Sequence, residues 1–188
     1  MGAQMFHLQP FEAIPLDISL SLTGMVTLED TQLTITYLLS GDLEQAVIAP
    51  SISNSGLEGD RRDRLWEQTC FEFFLAYGSN PTTHTPYWEF NLSPSGDWNV
   101  FSLEGYRQGS KEEMAISHLS FGVERKPKSL YLELWQLDVS SLMGANQPLS
   151  IGVSAVLLLA TGKQTLWAIA HPGPEPDFHH PDSFVLAL

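Results

Sequence analysis

The sequence predicts an all-β fold, an antiparallel β-sandwich of two sheets in a single domain spanning residues 1–188. Three observations carry this. Apolar residues alternate with polar ones at a period of two, and no segment sustains a helical period. Turn residues punctuate the chain, which holds 14 Gly and 12 Pro. Charged residues make up only 16% of the sequence, which suits a turn-rich β protein better than a helical bundle.

The first strand is read from Leu16, Ile18, Leu20 and Leu22 alternating with Asp17, Ser19, Ser21 and Thr23, and Gly24 marks a turn or bulge. Leu33, Ile35 and Tyr37 make a second strand that ends at Ser40-Gly41-Asp42. Residues 41–64 have the composition of a long loop, and such loops in compact domains are usually functional or mobile.

Next comes the run from Arg61 to Tyr77, which places three of the chain's nine cations just before its most aromatic strand. Within residues 70–77, Phe71, Phe73, Leu75 and Tyr77 fall on one side, and Cys70, Glu72, Phe74 and Ala76 on the other. Glu72 thus sits among apolar neighbours. A carboxylate there is solvated, paired with a nearby arginine, or bonding a ligand, because an isolated buried charge is too costly. The run Tyr87–Leu92 reads as the neighbouring strand. If Trp88, Phe90 and Leu92 share the core face with Phe71, Phe73 and Leu75, then Glu72, Glu89 and Asn91 share the opposite one.

Trp98–Leu103 is the following strand, trailed by Tyr106-Arg107. Ser117–Val123 reads as an edge strand and Leu130–Trp135 as another. Asp138–Ala145 suits a single helical turn capped by Asp138. Ile151–Val156, Thr165–Ala170 and Phe184–Leu188 complete roughly nine or ten strands.

The formal charge of −13 with nine scattered cations argues against nucleic acid and anionic membrane as partners, and favours a neutral or cationic ligand. The single cysteine, Cys70, permits no internal disulfide. Residues 1–10 have neither a basic leader nor an apolar run, and no later segment has the length to span a bilayer. The expectation is a soluble, cytoplasmic protein.

Glu72 and Glu89 have the chemistry of an acid/base pair, but no motif with its own geometry supports catalysis, so no enzyme is expected. His171, Asp177, His179, His180 and Asp182 offer imidazole and carboxylate donors; of these, His171, Asp177 and His179 are the residues a structural metal would use. Their spacing fits no metal template, and with interleaved prolines they read as a polar loop whose side chains cap backbone groups. Haem would need paired axial ligands such as Met25 and His171. No cofactor is expected. Trp66 precedes the central strand among Arg64, Glu67 and Gln68. It is either a lid over the sandwich end or one wall of a site that stacks on a sugar.

Two blocks, Leu65-Trp66-Glu67-Gln68-Thr69-Cys70-Phe71-Glu72-Phe73-Phe74 and Tyr87-Trp88-Glu89-Phe90-Asn91-Leu92-Ser93-Pro94-Ser95-Gly96, resemble the DOMON-like proteins related to carbohydrate-binding module family 9. So does the ending from Trp167 through His171-Pro172 to Phe184. The resemblance implies a jelly-roll-like sandwich and non-catalytic binding of a saccharide end between two tryptophans, with a glutamate from the central strand. It places the first tryptophan at Trp66 and the glutamate at Glu72, while the C-terminal loop offers Phe178 and His179 where the second tryptophan would stand. The expected function is binding of a small polar ligand, a mono- or oligosaccharide, by Trp66, Glu72, Asn91, Arg64, Arg107, Phe178 and His179. A ligand-free protein-interaction scaffold and a haem-binding domain are the alternatives.

Overall fold

The protein is described from a computed structural model covering residues 2–50, 59–142 and 148–188. Twelve strands are described: β1 (Gly2–Pro10), β2 (Leu20–Glu29), β3 (Gln32–Gly41), β4 (Cys70–Tyr77), β5 (Tyr87–Leu92), β6 (Trp98–Leu103), β7 (Lys111–Glu112), β8 (Phe121–Lys126), β9 (Ser129–Asp138), β10 (Leu149–Leu158), β11 (Gln164–Ala168) and β12 (Leu186–Ala187). Every pairing between them is antiparallel. No helix among the described residues is long and apolar enough to cross a membrane.

The strand order is β7-β6-β5-β4-β10-β11-β1-β2-β3-β9-β8, with β12 also pairing with β10. The sheet closes over itself at β1. Residues Gly2 to Leu8 pair with β2, and Gln9 and Pro10 pair with Ala168 and Trp167 of β11. One strand therefore belongs to both layers, and the result is a sandwich. Its core fills from both sides: Leu22, Val26, Ile35 and Leu132 from one layer meet Phe73, Phe90, Ile151 and Trp167 from the other. Burial of each such side chain contributes roughly 1.5–3 kcal/mol. Tyr37 spans the gap, its ring 5.1 Å from that of Phe71 and its hydroxyl donating to the Glu72 carbonyl at 2.8 Å.

The register places Phe71, Phe73 and Leu75 opposite Leu92, Phe90 and Trp88, so these six share the core face. On the reverse face, Glu72 lies opposite Asn91 on one side and Ser154 on the other. Seven of the eight residues of β4 are buried, because both of its faces are covered. The chain after β11 lies back across the outer face, where Phe184 and Phe178 pack with Phe74, Ala76, Tyr87 and Leu103 in a second, smaller apolar cluster.

Several boundaries differ from expectation. The alternation of Phe6 and Leu8 with Met5, His7 and Gln9 makes β1, which was not foreseen. The strand expected at 16–23 runs from Leu20 to Glu29, so Gly24 lies mid-strand. A Cβ there would collide with the Thr36 carbonyl and the Phe6 ring, so close packing rather than a turn explains the glycine. The strand expected from Ser117 begins at Phe121 and does lie on an edge, as β8. The turn after Asp138 is a short 3₁₀ segment, Val139–Ser141, with the Asp138 carboxylate accepting from Ser140 N. Residues 143–145 of that expected turn, and 51–58 of the expected long loop, lie outside the described residues.

Candidate functional site

The outer face of β4, β5, β10 and β11, partly roofed by the C-terminal arm, encloses a cleft of about 480 Å³ lined by Trp66, Glu72, Glu89, Arg107, Phe178 and His179, among others. That volume is in the range of small-molecule sites, about 300–1,000 Å³. Five of the seven residues expected to bind a ligand meet here: Trp66, Glu72, Arg107, Phe178 and His179.

Trp66 reaches the cleft through a local backbone feature. Arg64 adopts a left-handed conformation (φ 60°) and turns the chain into the 3₁₀ segment Leu65–Glu67. The indole packs edge-on to Phe101 at 5.9 Å and stays 38% exposed. Its carbonyl accepts from Gln164 Nε2 of β11 at 2.9 Å. The same turn directs the Arg64 side chain elsewhere: it pairs with Glu67 at 2.6 Å, both groups exposed, and lines no part of the cleft. Arg64, expected among the ligand-binding residues, is thus not brought to the cleft with the other five.

The floor is acidic. Glu72 is 3% and Glu89 9% exposed. Oε2 of Glu72 accepts from the Ser154 hydroxyl at 3.3 Å, and Oε1 of Glu89 accepts from Asn91 Nδ2 at 2.8 Å. Asn91 is fully buried, with its Oδ1 3.7 Å from the Cys70 thiol. Its amide donates to Glu89, and Asn91, expected as a ligand contact, is not among the residues lining the cleft. Burial, then the Glu89 charge, pushes the Glu72 carboxyl well above the usual range. Burial likewise raises Glu89, and the Asn91 bond and the Arg107 charge offset this in part. Glu72 makes no ion pair among the described residues, which removes the arginine pairing from the alternatives above, and it lines the cleft.

The roof is tied down by Asp177. Its Oδ1 accepts from Arg107 Nη2 at 2.7 Å and from His179 N at 3.1 Å, and its Oδ2 accepts from the Tyr106 hydroxyl at 2.5 Å. Partial burial pulls the Asp177 pKa upward, but the Tyr106 and Arg107 bonds outweigh this and hold it below the ordinary value. His179 packs edge-on to Phe74 at 5.2 Å. Burial, then the Arg107 charge, lowers its pKa to about 4, so the imidazole is neutral near pH 7.

The polar C-terminal residues do not converge on a metal. His171 Nε2 bonds the Gln9 carbonyl at 2.8 Å, Asp177 is engaged as above, and His180 Nδ1 accepts from Asp182 N at 3.2 Å. No group of three or more metal-ligating side chains occurs among the described residues. Met25 and His171 do not face each other either. Met25 pairs with Met5, while His171 bonds Gln9, four residues along β1 and roughly 13 Å away.

Sequence reasoning placed Glu89 on the Glu72 face without assigning it to the site, and it missed Val156, Gln164 and Leu166 altogether. The alternation of β11 separates Leu166 from the buried Trp167. Nothing local shows that β10 and β11 lie beside β4.

No family model matches this sequence, and no curated protein is similar to it in sequence. Among solved structures, the fold is similar to that of a Bacteroides uniformis protein described as a "putative carbohydrate-binding protein", with a TM-score of 0.61 and 14% identity over 94% of this chain and 83% of the other. At that identity the likeness establishes a shared all-β sandwich fold.

Proposed function

We propose that the protein is a non-catalytic binding domain for a small polar ligand, a mono- or oligosaccharide held in the cleft between β4 and the C-terminal arm. One observation carries this reading: Trp66 and Phe178, two aromatic side chains that can pack on the apolar face of a sugar ring, line the same cleft as the acceptors Glu72 and Glu89. Trp66 thereby serves as a wall of the site rather than a lid on the sandwich end. The description of the Bacteroides neighbour supports the reading, as does the resemblance of the 65–74 and 87–96 blocks to DOMON-like proteins related to carbohydrate-binding module family 9. Binding without turnover is the reading kept because no catalytic motif with its own geometry accompanies Glu72 and Glu89.

A glycan array followed by calorimetry tests the proposal. A hit that quenches tryptophan fluorescence in the wild type but not in Trp66→Ala supports it. Silence across the array, or equal affinity in Trp66→Ala and Glu72→Ala, overturns it.

A protein-interaction role is favoured by a separate observation. The outer face of the other layer exposes Met5 (81%), Met25 (40%), Leu38 (38%), Tyr131 (37%) and Trp135 (46%). Met5 lies opposite Met25, and Leu38 opposite Tyr131. Retention of a partner by the wild type but not by Met5→Glu/Tyr131→Glu tests that role.

A further inference from the structure

The acidic floor of the cleft has two acceptor oxygens that the protein does not satisfy. Oε1 of Glu72 receives no hydrogen bond among the described residues, and Glu72 is 3% exposed. Oε2 of Glu89 receives no hydrogen bond among the described residues, and His179 Nε2 lies 3.9 Å from it, beyond hydrogen-bond reach. The Tyr87 oxygen accepts from Arg107 N at 3.3 Å and hydrogen-bonds His179 Nδ1 at 2.7 Å, which leaves Nε2 as the ring nitrogen on the Glu89 side. His179 brings no charge to this end of the cleft near pH 7.

No arginine or lysine among the described residues forms an ion pair with Glu72 or Glu89. The charged and titratable groups facing Glu72 and Glu89 are Cys70 on β4, Tyr87 on β5, His179 and Asp177 on the C-terminal arm, and Arg107 on the β6–β7 loop; β10 contributes only the neutral Ser154. Cys70 is held as the thiol by burial, then by the Glu72 charge. Burial pushes Tyr87 up to about 12. The guanidinium of Arg107 is bonded to Asp177 at 2.7 Å, and its charge offsets only part of the effect of burial on Glu89. The floor sets two acidic groups against one cation, itself engaged by a third carboxylate.

We infer that the cleft takes a sugar bearing a primary amine, its ammonium seated between Glu72 Oε1 and Glu89 Oε2 while the aromatic walls hold the ring. This rests on the saccharide reading above and narrows it to one class. An ammonium supplies three donors and a charge, so it matches two carboxyl groups with unused acceptor oxygens where a hydroxyl supplies one donor and no charge. An acidic sugar brings a further acidic group and no ammonium to the same place and is disfavoured. Because burial favours the protonated carboxyls in the empty cleft, an arriving ammonium displaces their protons into solution.

Calorimetry at pH 6.5 with glucosamine, glucose, glucuronate and butylamine tests this. Glucosamine is expected to bind about tenfold tighter than glucose, since charge-assisted bonds outweigh neutral ones by about that factor. Glucuronate gives no heat, and the glucosamine heats measured in buffers of different ionisation enthalpy reveal proton release. Glu72→Gln and Glu89→Gln each abolish the preference for glucosamine over glucose. Equal affinity for glucose and glucosamine, or no binding of glucosamine, overturns the inference. The first result leaves the saccharide reading standing. Butylamine matching glucosamine overturns the saccharide reading and leaves only the carboxylate–ammonium pairing.

Discussion

The Tyr87 hydroxyl and Nδ1 of His179 lie 2.7 Å apart, joining the first residue of β5 to the C-terminal arm across 92 positions of sequence. This bond and the Asp177 cluster fasten the arm over the outer face of β4 and make a pocket from what would otherwise be an open sheet.

Because burial holds His179 near a pKa of about 4, below an unfolded value of 6.5, the unfolded chain binds the proton first as pH falls. The associated stability is complete above pH 6.5 and is lost between pH 6.5 and 4, to a total of about 3 kcal/mol. Denaturant unfolding of the wild type and His179→Phe checks this: their difference should shrink steadily over that window. An NMR titration should place the ring's midpoint near 4.

Glu72 has the opposite sign. Its folded pKa is raised, so the folded state holds its proton after the unfolded chain has released it, and stability falls as pH rises above 4.5. Glu72→Gln keeps the Ser154 bond and removes the buried charge. Its Tm should exceed that of the wild type at pH 7, by about 2–4 °C per kcal/mol released, and match it below pH 4.5. A lower Tm at pH 7 would contradict the carboxyl's desolvation.

Asp177→Asn weakens the bonds to Arg107 and Tyr106 together. The core lies elsewhere, so global stability should change by less than about 1 kcal/mol, while the arm loosens. Amide exchange should accelerate across residues 176–184 with little change in β4. Ligand affinity should fall, because Phe178 and His179 are no longer held in place.

Gly24→Ala places a methyl against the Thr36 carbonyl and the Phe6 ring between paired strands. Overpacking there should cost about 3 kcal/mol or more. Gly78→Ala serves as a control for a glycine with open space around it, although its positive φ of 80° carries a smaller backbone penalty.

Tyr37→Phe removes the bond that crosses the core to the Glu72 carbonyl. Loss of a buried bond of this kind should cost about 1–3 kcal/mol. Denaturant midpoints measure the cost, and ligand affinity reports whether the position of Glu72 depends on the bond.

Much of the fold was legible in the sequence because strand alternation is local. Once Phe71, Phe73 and Leu75 were set opposite Trp88, Phe90 and Leu92, the face shared by Glu72, Glu89 and Asn91 followed, since side chains invert at every residue. Trp66 and Glu72 could be named from the blocks around them, and Phe178 and His179 from the C-terminal loop. Arg64 and Asn91 could not be sorted from these. The left-handed turn at Arg64 and the amide bond between Asn91 and Glu89 depend on neighbours that residue identity does not reveal.

What the sequence determined by itself was the class of fold, the two faces of the central strands and the presence of a carboxylate on the wrong side of an aromatic strand. Only the tertiary structure decided that β1 joins both layers, that β10 and β11 lie beside β4, and that the arm ending in Phe184 returns over Glu72. Alternation is set by adjacent residues along one chain, whereas a cleft is made by strands and loops far apart in sequence, whose pairing depends on the packing of the whole sandwich.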